Sequence, residues 1–138
     1  MATTARVLEF GVTVDRDGTA RSDRGGVAIP PDESWAAEHL VLAGLVRCTL
    51  ASLDYSAERA GLDVTASGRA DGAVTKREAD GRYAFVSVDV HLDVTLDPGI
   101  ATGEVRELLA RAEKGCFVGN SLVVGPHYHW MVNGKGLA

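Results

Sequence analysis

The residues of this chain best suited to chemistry are two cysteines that lie far apart in the sequence. Cys48 lies in "LAGLVRCTLASL" and Cys116 in "EKGCFVGNSL", and both segments are apolar and typical of helices. Free cysteine is among the most buried residue types, so each thiol taken alone is well explained as a core residue. A pair of thiols that meet in the fold is instead one redox site, because a thiolate and a second thiol can exchange with a disulfide.

Composition and charge restrict the class of protein. The chain has 138 residues, 46% of them hydrophobic and 24% charged, which predicts a single domain over residues 1–138 with a real core. The net charge is −5 with scattered lysine and arginine, which argues against a nucleic-acid partner. We expect no membrane association, because no apolar run approaches the required length. The start of the chain has no apolar signal core, so we expect a cytoplasmic protein, where paired cysteines are more often catalytic or redox-sensing than structural.

The hydrophobic pattern predicts the elements that must position these thiols. "RVLEFGVTVD" indicates a strand that enters a hairpin at "DRDG", and "GGVAIPP" indicates another short strand. A long helix is expected from a cap at Asp32 or Ser34 to a stop at Gly61. From Leu40 to Leu53 this helix is apolar almost all round, which is typical of a helix buried on most sides.

The second half of the chain predicts strands, a helix and a last strand. "FVSVDVHLDVTL" alternates apolar and polar residues, as in an antiparallel sheet with one buried face. "TGEVRELLARAEKG" is an amphipathic helix with Thr102 as cap, three inward apolar residues and Gly115 as stop. "CFVGNSLV" predicts a short turn or helix and "VVGPHYHWMVN" a final strand. This order of elements indicates an α+β fold.

The pairing of "EHLVLAGLVRCTLASL" with "EKGCFVGNSL" resembles the OsmC/Ohr superfamily, the osmotically inducible and organic hydroperoxide resistance proteins. In that superfamily a glutamate stands ten positions before the first cysteine, and Glu38 and Cys48 keep this spacing. The second cysteine of the superfamily lies in Gly-Cys-Pro-Val-Ser-Asn-like sequence, which "GCFVGNSL" matches except that Phe117 replaces the proline. The predicted order of elements agrees with the superfamily over nearly the whole chain.

The resemblance implies an OsmC-like fold, with antiparallel sheets packed around a long central helix in an intertwined homodimer. It also implies a thiol peroxidase that reduces organic hydroperoxides, has no tightly bound cofactor and is recycled by an external dithiol reductant. Cys48 would attack the peroxide, Cys116 would resolve the sulfenic acid, and Glu38 would orient an activating arginine. Arg16, in the hairpin tip "DRDG", is the best match for that arginine, and Arg24 is the alternative.

One argument for a dimer rests on spacing alone. In a continuous helix, ten residues separate Glu38 from Cys48 by about 15 Å along the axis. One arginine cannot easily reach both from a single helix, whereas a second copy running antiparallel across a two-fold axis would bring Glu38 of one chain near Cys48 of the other.

Other interpretations compete with the peroxidase. The protein could be a small-ligand binding or redox-sensing member of the same fold, which the replacement by Phe117 favours, or a structural dimer with incidental cysteines. His127 and His129 share a strand face and raise the idea of zinc, but a zinc site needs three or four ligands and the sequence places no obvious others nearby. We therefore expect no metal.

Overall fold

The computed structural model describes residues 5–137, which form two compact units, one up to Ala37 and the other from Glu38 onward. The prediction of a single domain over residues 1–138 stays a prediction, and the two units are described separately here.

The N-terminal unit contains a small antiparallel hairpin of β1 (Val12–Val14) and β2 (Ala20–Ser22). Its turn is the predicted "DRDG": the Asp17 carboxylate accepts a hydrogen bond from the Thr19 N–H at 2.9 Å, and Gly18 supplies a φ of +93° that other residues rarely adopt. The strand expected in "GGVAIPP" is reduced to a single bridge between Ala20 and Ile29, because the prolines that follow cannot continue a ladder.

The C-terminal unit is one four-stranded sheet with three helices. Its elements are α1 (Ala37–Arg59), β3 (Asp63–Lys76), β4 (Tyr83–Asp97), α2 (Thr102–Lys114), α3 (Phe117–Ser121), β5 (His127–Val132) and β6 (Lys135–Leu137). The strand order is β3-β4-β5-β6. The β3–β4 and β5–β6 pairs are antiparallel, whereas β4 and β5 run parallel. The α+β fold class is therefore confirmed, with a mixed sheet and an additional last strand, β6.

The alternating pattern of β4 is confirmed in the structure. One face of the strand is buried, and it consists of five apolar residues at every second position: Val88, Val90, Leu92, Val94 and Leu96. The partner strand β5 continues this face with Tyr128, Trp130 and Val132. The indole N–H of Trp130 donates to the Glu113 carboxylate at 2.9 Å, which ties α2 to the sheet.

The long helix α1 begins later than predicted and ends where predicted. The Asp32 carboxylate accepts from the Ser34 N–H at 2.8 Å, so this side chain forms a local turn ahead of the helix rather than capping it. Gly61, with φ +73°, follows the last turn, and the Leu62 N–H returns to the Ala57 carbonyl at 2.9 Å. Glycine in this left-handed conformation is a common helix stop.

A single stripe of α1 is buried within the chain. The buried positions follow a helical spacing of three to four residues: Leu45, Thr49, Leu53, Ser56 and Ala57. Leu40 and Val41 remain 40% and 38% exposed, and Leu42 and Val46 are half-buried. The expectation of burial on most sides is therefore not met within one chain, and several apolar side chains of the helix are left uncovered.

Helix α1 is long enough to span a membrane, contrary to the prediction from the sequence. Within residues 5–137, α1 is the one helix that could cross a membrane by length and composition. The core helix of a soluble protein passes the same test. The buried stripe of α1 belongs to the core of this chain, which accounts for part of the apolar composition of the helix.

The connection from β4 to β5 carries the second cysteine. Helix α2 begins one residue after its cap, Ala101, so Thr102 is the first helical residue rather than the cap. Its predicted inward residues are buried, and it ends at Gly115 as expected. Cys116 follows at once as the cap of the short helix α3, and its sulfur accepts from the Gly119 N–H.

Candidate active site

The structure brings Cys48 and Cys116 together. Cys48 lies in the middle of α1 and is half-buried, whereas Cys116 caps α3 and is fully buried. The ionisation of the Cys48 thiol responds both to the charge of Cys116 and to a hydrogen bond with it, so the two thiols lie side by side. Both are free thiols. Two cysteines that are far apart in the sequence thus form one site between α1 and the start of α3.

The surroundings of Cys48 act on its ionisation in opposite directions. Burial raises the pKa of the Cys48 thiol above its ordinary value, because the apolar environment disfavours a charged thiolate. The neighbouring Cys116 raises this pKa further, whereas the backbone N–H groups of Val118 and Phe117 lower it by donating to the sulfur. The net effect is a raised pKa of Cys48, so within this single chain its side chain is mainly the neutral thiol at neutral pH.

The buried thiol of Cys116 has polar contacts from three directions. The Thr49 hydroxyl oxygen lies 3.3 Å from its sulfur, the Gly119 N–H donates to the sulfur at 3.4 Å, and the Leu45 carbonyl lies at 4.0 Å. The Thr49 hydroxyl also donates to the Leu45 carbonyl at 2.9 Å. Cys116 is therefore held in a defined orientation rather than loosely packed.

Tyr128 completes this polar cluster from the sheet. Its hydroxyl interacts with Thr49 and with Cys116, and burial raises the pKa of Tyr128 well above its usual value. A side chain at Gly119 would place its Cβ 2.5 Å from the Tyr128 oxygen and 3.3 Å from the Cys116 sulfur. We call Thr49, Cys116, Gly119 and Tyr128 the thiol cluster; its four members come from α1, α3 and β5.

The other predicted site residues lie at exposed positions. Glu38 is in the first turn of α1, on the same continuous helix as Cys48, as the spacing required. Arg16 lies in the β1–β2 turn of the N-terminal unit. Arg24, the alternative, lies in the same unit with its guanidinium 4.9 Å from the centre of the Phe10 ring. Cys48 and Glu38 belong to the C-terminal unit, so the pairing of either arginine with them stays a prediction.

Thr49, Gly119 and Tyr128 were not among the site residues predicted from the sequence. Two of them could have been found from the sequence. Thr49 is a polar residue on the buried stripe of an otherwise apolar helix, and Tyr128 is on the same inward face of β5 as Trp130 and Val132. Their meeting at Cys116 depends on how α3 packs on α1 and β5, and local sequence does not encode that packing.

The outer face of the sheet carries a separate histidine array. His91 stacks on His129 with ring centres 4.5 Å apart, and His129 Nε2 lies 2.9 Å from the Asp89 carboxylate. This hydrogen bond lowers the pKa of Asp89. In the described part of the chain no group of three or more histidine, cysteine, aspartate or glutamate side chains is arranged to hold a metal ion.

Comparison with known proteins identifies the fold. No curated protein matches the chain. Among solved structures, an OsmC-like protein of unknown function from Vibrio cholerae superposes with a TM-score of 0.78 at 15% identity, covering 91% of this chain and 100% of that one. An organic hydroperoxide resistance protein from Elizabethkingia anophelis, with thiocyanate bound, has a TM-score of 0.68 at 20% identity, covering 94% and 98%. An OsmC-like protein from Mycoplasma pneumoniae has a TM-score of 0.71 at 17% identity, covering 94% and 99%.

These structures establish the OsmC-like architecture of the chain, and the sequence establishes its family. The family model described as OsmC-like protein matches residues 30–128, well over half of the chain. That range contains Glu38, Cys48, Cys116 and the thiol cluster. The chain therefore belongs to the OsmC-like protein family.

Proposed function

We propose that this protein is a thiol peroxidase that reduces organic hydroperoxides. The observation that carries the proposal is that Cys48 and Cys116, two free thiols from segments remote in the sequence, lie close enough for Cys116 to shift the pKa of Cys48. Membership of the OsmC-like family supports it, and so does the similar fold of an organic hydroperoxide resistance protein. The two cysteines differ in access as the roles require, since Cys48 is half-buried and Cys116 is fully buried.

The proposed cycle uses both thiols in sequence. The Cys48 thiolate attacks the peroxide O–O bond; an S–O bond forms, the O–O bond breaks, and the leaving alkoxide takes a proton to become an alcohol. The Cys116 sulfur then attacks the Cys48 sulfenic acid; an S–S bond forms, and hydroxide leaves and takes the Cys116 proton as water. An external dithiol reduces the disulfide and is itself oxidised, so no tightly bound cofactor is required. A reducing cytoplasm would supply such a dithiol.

This cycle needs a cation near Cys48. Burial raises the pKa of Cys48, so the backbone N–H groups of Val118 and Phe117 do not suffice to ionise it. Arginine is suited to this role because it is always charged and can donate to both a thiolate and a peroxide oxygen. We assign it to Arg16, with Arg24 as the alternative, and assign Glu38 to hold the guanidinium by a bidentate pair.

The proposed functional unit is a homodimer. The uncovered surface of α1 includes Leu40, Val41 and Val46, and next to it a groove of about 390 Å³ runs between the helix and β3. Monomeric proteins rarely leave contiguous apolar surfaces of this kind exposed. A second α1 packed antiparallel would cover the surface and bring Glu38 of one chain near Cys48 of the other.

A second candidate function is redox sensing or small-ligand binding without turnover. Two observations favour it: the raised pKa of Cys48 within the single chain, and Phe117 in the place where the superfamily has proline. In this case the thiols would react slowly or not at all with peroxide.

Thiol titration against a hydroperoxide tests the proposal. Reduced protein receives one equivalent of cumene hydroperoxide, and free thiols are counted before, after, and after addition of dithiothreitol. We expect both thiols to disappear and both to return. Thiols that stay unreacted would refute the peroxidase and favour binding or sensing.

Two single variants assign the roles. Cys48→Ser should abolish peroxide consumption, whereas Cys116→Ser should consume one equivalent and accumulate a sulfenic acid that dimedone traps. If Cys116→Ser is as inactive as Cys48→Ser in a single turnover, the assignment of attacker and resolver is wrong.

A further inference from the structure

The Thr49 hydroxyl and the Cys116 thiol form a buried pair, and both have the Leu45 carbonyl as an acceptor. A hydroxyl carries one proton and two lone pairs, and Thr49 can donate its proton to the Leu45 carbonyl at 2.9 Å. The Thr49 oxygen lies 3.3 Å from the Cys116 sulfur, and either group can donate in this contact. The Cys116 S–H has the Thr49 oxygen and the Leu45 carbonyl, at 4.0 Å, as acceptors, and the Gly119 N–H donates to the same sulfur at 3.4 Å.

Packing of the core does not require a hydroxyl at position 49. Thr49 and Cys116 are both 0% exposed, and polar groups in such surroundings destabilise a fold unless they are paired. Valine has nearly the same shape as threonine and would fill the position without a polar group. The pairing of Thr49 with Cys116 and Tyr128 thus adds orientation to the thiol, not volume to the core.

We propose that Thr49 and Tyr128 are positioning residues for the resolving step, holding the Cys116 sulfur and its proton in the orientation from which it attacks the sulfenic acid on Cys48. This inference rests on the proposed peroxidase function. In the step, the S–S bond forms as the S–O bond of Cys48 breaks, and the departing hydroxide takes the Cys116 proton to leave as water.

Each group of the cluster has a defined part in that step. The Thr49 hydroxyl holds the Cys116 thiol by a hydrogen bond before the attack, and the Tyr128 hydroxyl interacts with both Thr49 and Cys116. The Gly119 N–H faces the sulfur as negative charge develops on it. None of these groups is assigned to the first step, which takes place on Cys48.

The experiment separates the two steps in a single turnover. Reduced protein is mixed with one equivalent of cumene hydroperoxide and quenched at intervals, and mass spectrometry counts dimedone-trapped sulfenic acid and disulfide. Thr49→Val should form sulfenic acid within about twofold of the wild-type rate and form disulfide about tenfold more slowly, the effect of one hydrogen bond. Tyr128→Phe should slow disulfide formation about threefold, because one of two hydroxyls remains.

Conservative variants distinguish positioning from packing. Thr49→Ser keeps the hydroxyl and should resolve at nearly the wild-type rate. Thr95→Val makes the same change on the exposed side of β4 and should alter neither step. Thr49→Val should also become more sensitive to overoxidation by excess peroxide, since its sulfenic acid persists.

The possible outcomes separate this inference from the proposed function. A wild type that forms no sulfenic acid would overturn both. Normal sulfenic acid formation with unchanged disulfide formation in Thr49→Val and Tyr128→Phe would overturn the positioning role alone. It would also be overturned if Thr49→Ser were as slow as Thr49→Val, or if Thr49→Val slowed both steps equally. Should Thr49→Val fail to fold, Tyr128→Phe and Thr49→Ser decide the question.

Discussion

The space around Gly119 allows a sharp test of the thiol cluster. An added Cβ would lie 2.5 Å from the Tyr128 oxygen, 0.9 Å short of the 3.4 Å at which ordinary contact begins. The next atoms are the Cys116 sulfur at 3.3 Å, which is slightly too close, and Leu45 Cδ1 at 3.5 Å, which is an ordinary contact. The phenol oxygen of Tyr128 is therefore the main obstacle to alanine at this position.

The expected stability change follows from two opposing effects. Overpacking a well-filled site destabilises by about 1–3 kcal/mol. Replacing glycine by alanine inside a helix stabilises by up to about 1 kcal/mol, and Gly119 lies in α3. We expect Gly119→Ala to lose about 1–2 kcal/mol, which for a chain of this size lowers the melting temperature by roughly 3–8 °C.

The same substitution should be harmless once the phenol oxygen is gone. In a Tyr128→Phe background the Cβ meets nothing closer than the sulfur, so Gly119→Ala should be neutral or stabilising. The double-mutant cycle should then show a coupling of about 1–3 kcal/mol between the two positions. Gly125→Ala is the matched control, since its Cβ would meet nothing within 4 Å, and it should change stability by less than about 1 kcal/mol.

The measurement is thermal unfolding of the reduced protein, followed by circular dichroism at one fixed protein concentration. The fixed concentration matters because the melting temperature of the proposed dimer would depend on it. Additive effects of Gly119→Ala and Tyr128→Phe would contradict the reasoning, because they would mean that the phenol oxygen is not near position 119.

Three further predictions concern the wider site and the sheet. Arg16→Ala should raise the midpoint of the Cys48 thiolate titration followed by ultraviolet absorbance; an unchanged midpoint, with Arg24→Ala raising it instead, would move the role to Arg24. A Glu38→Ala chain and a Cys48→Ser chain, each nearly inactive, should regain part of the activity when refolded together, because mixed dimers hold one intact site; no recovery, or an active monomer by light scattering, would contradict a shared site. Asp89→Asn should lower the melting temperature at pH 7 and leave it unchanged well below pH 3.8. The hydrogen bond with His129 lowers the pKa of Asp89, so the carboxylate stabilises the fold above the pKa that Asp89 has in the unfolded chain. This stabilisation is lost as the pH falls through the pKa of the folded state. An equal effect at both pH values would show that the substitution acts through packing.

The fold could be predicted where the spacing of apolar side chains or a helix-ending glycine marks an element directly in the sequence. The alternation in β4 fixed its buried face, and Gly61 and Gly115 marked the ends of α1 and α2 correctly. The start of α1 was predicted too early, because the Asp32 side chain satisfies a local turn as readily as a helix cap. The parallel pairing of β4 with β5 depends on a distant crossover, so alternation within β4 could not reveal it.

The candidate site, too, was predicted only in part. The motifs singled out Cys48 and Cys116, and the structure places the two thiols side by side. The polar support of Cys116 was not predictable, because Thr49 and Tyr128 come from different elements that meet only after packing. The roles of Arg16 and Glu38 stay predictions, since they depend on contacts outside the C-terminal unit of one chain.

The position of the two cysteines in the chain links the redox state of the protein to its stability. Cys48 and Cys116 are 68 positions apart, and all of β3, β4 and α2 lies between them. A cross-link here would close a loop of that length and remove entropy from the unfolded chain, which in the loop-closure model corresponds to about 4 kcal/mol of added stability. The disulfide form would then melt at a higher temperature than the reduced form. In the proposed cycle the external dithiol would have to overcome this added stability as well as break the S–S bond, and each turnover would alternate between a more stable and a less stable form of the protein.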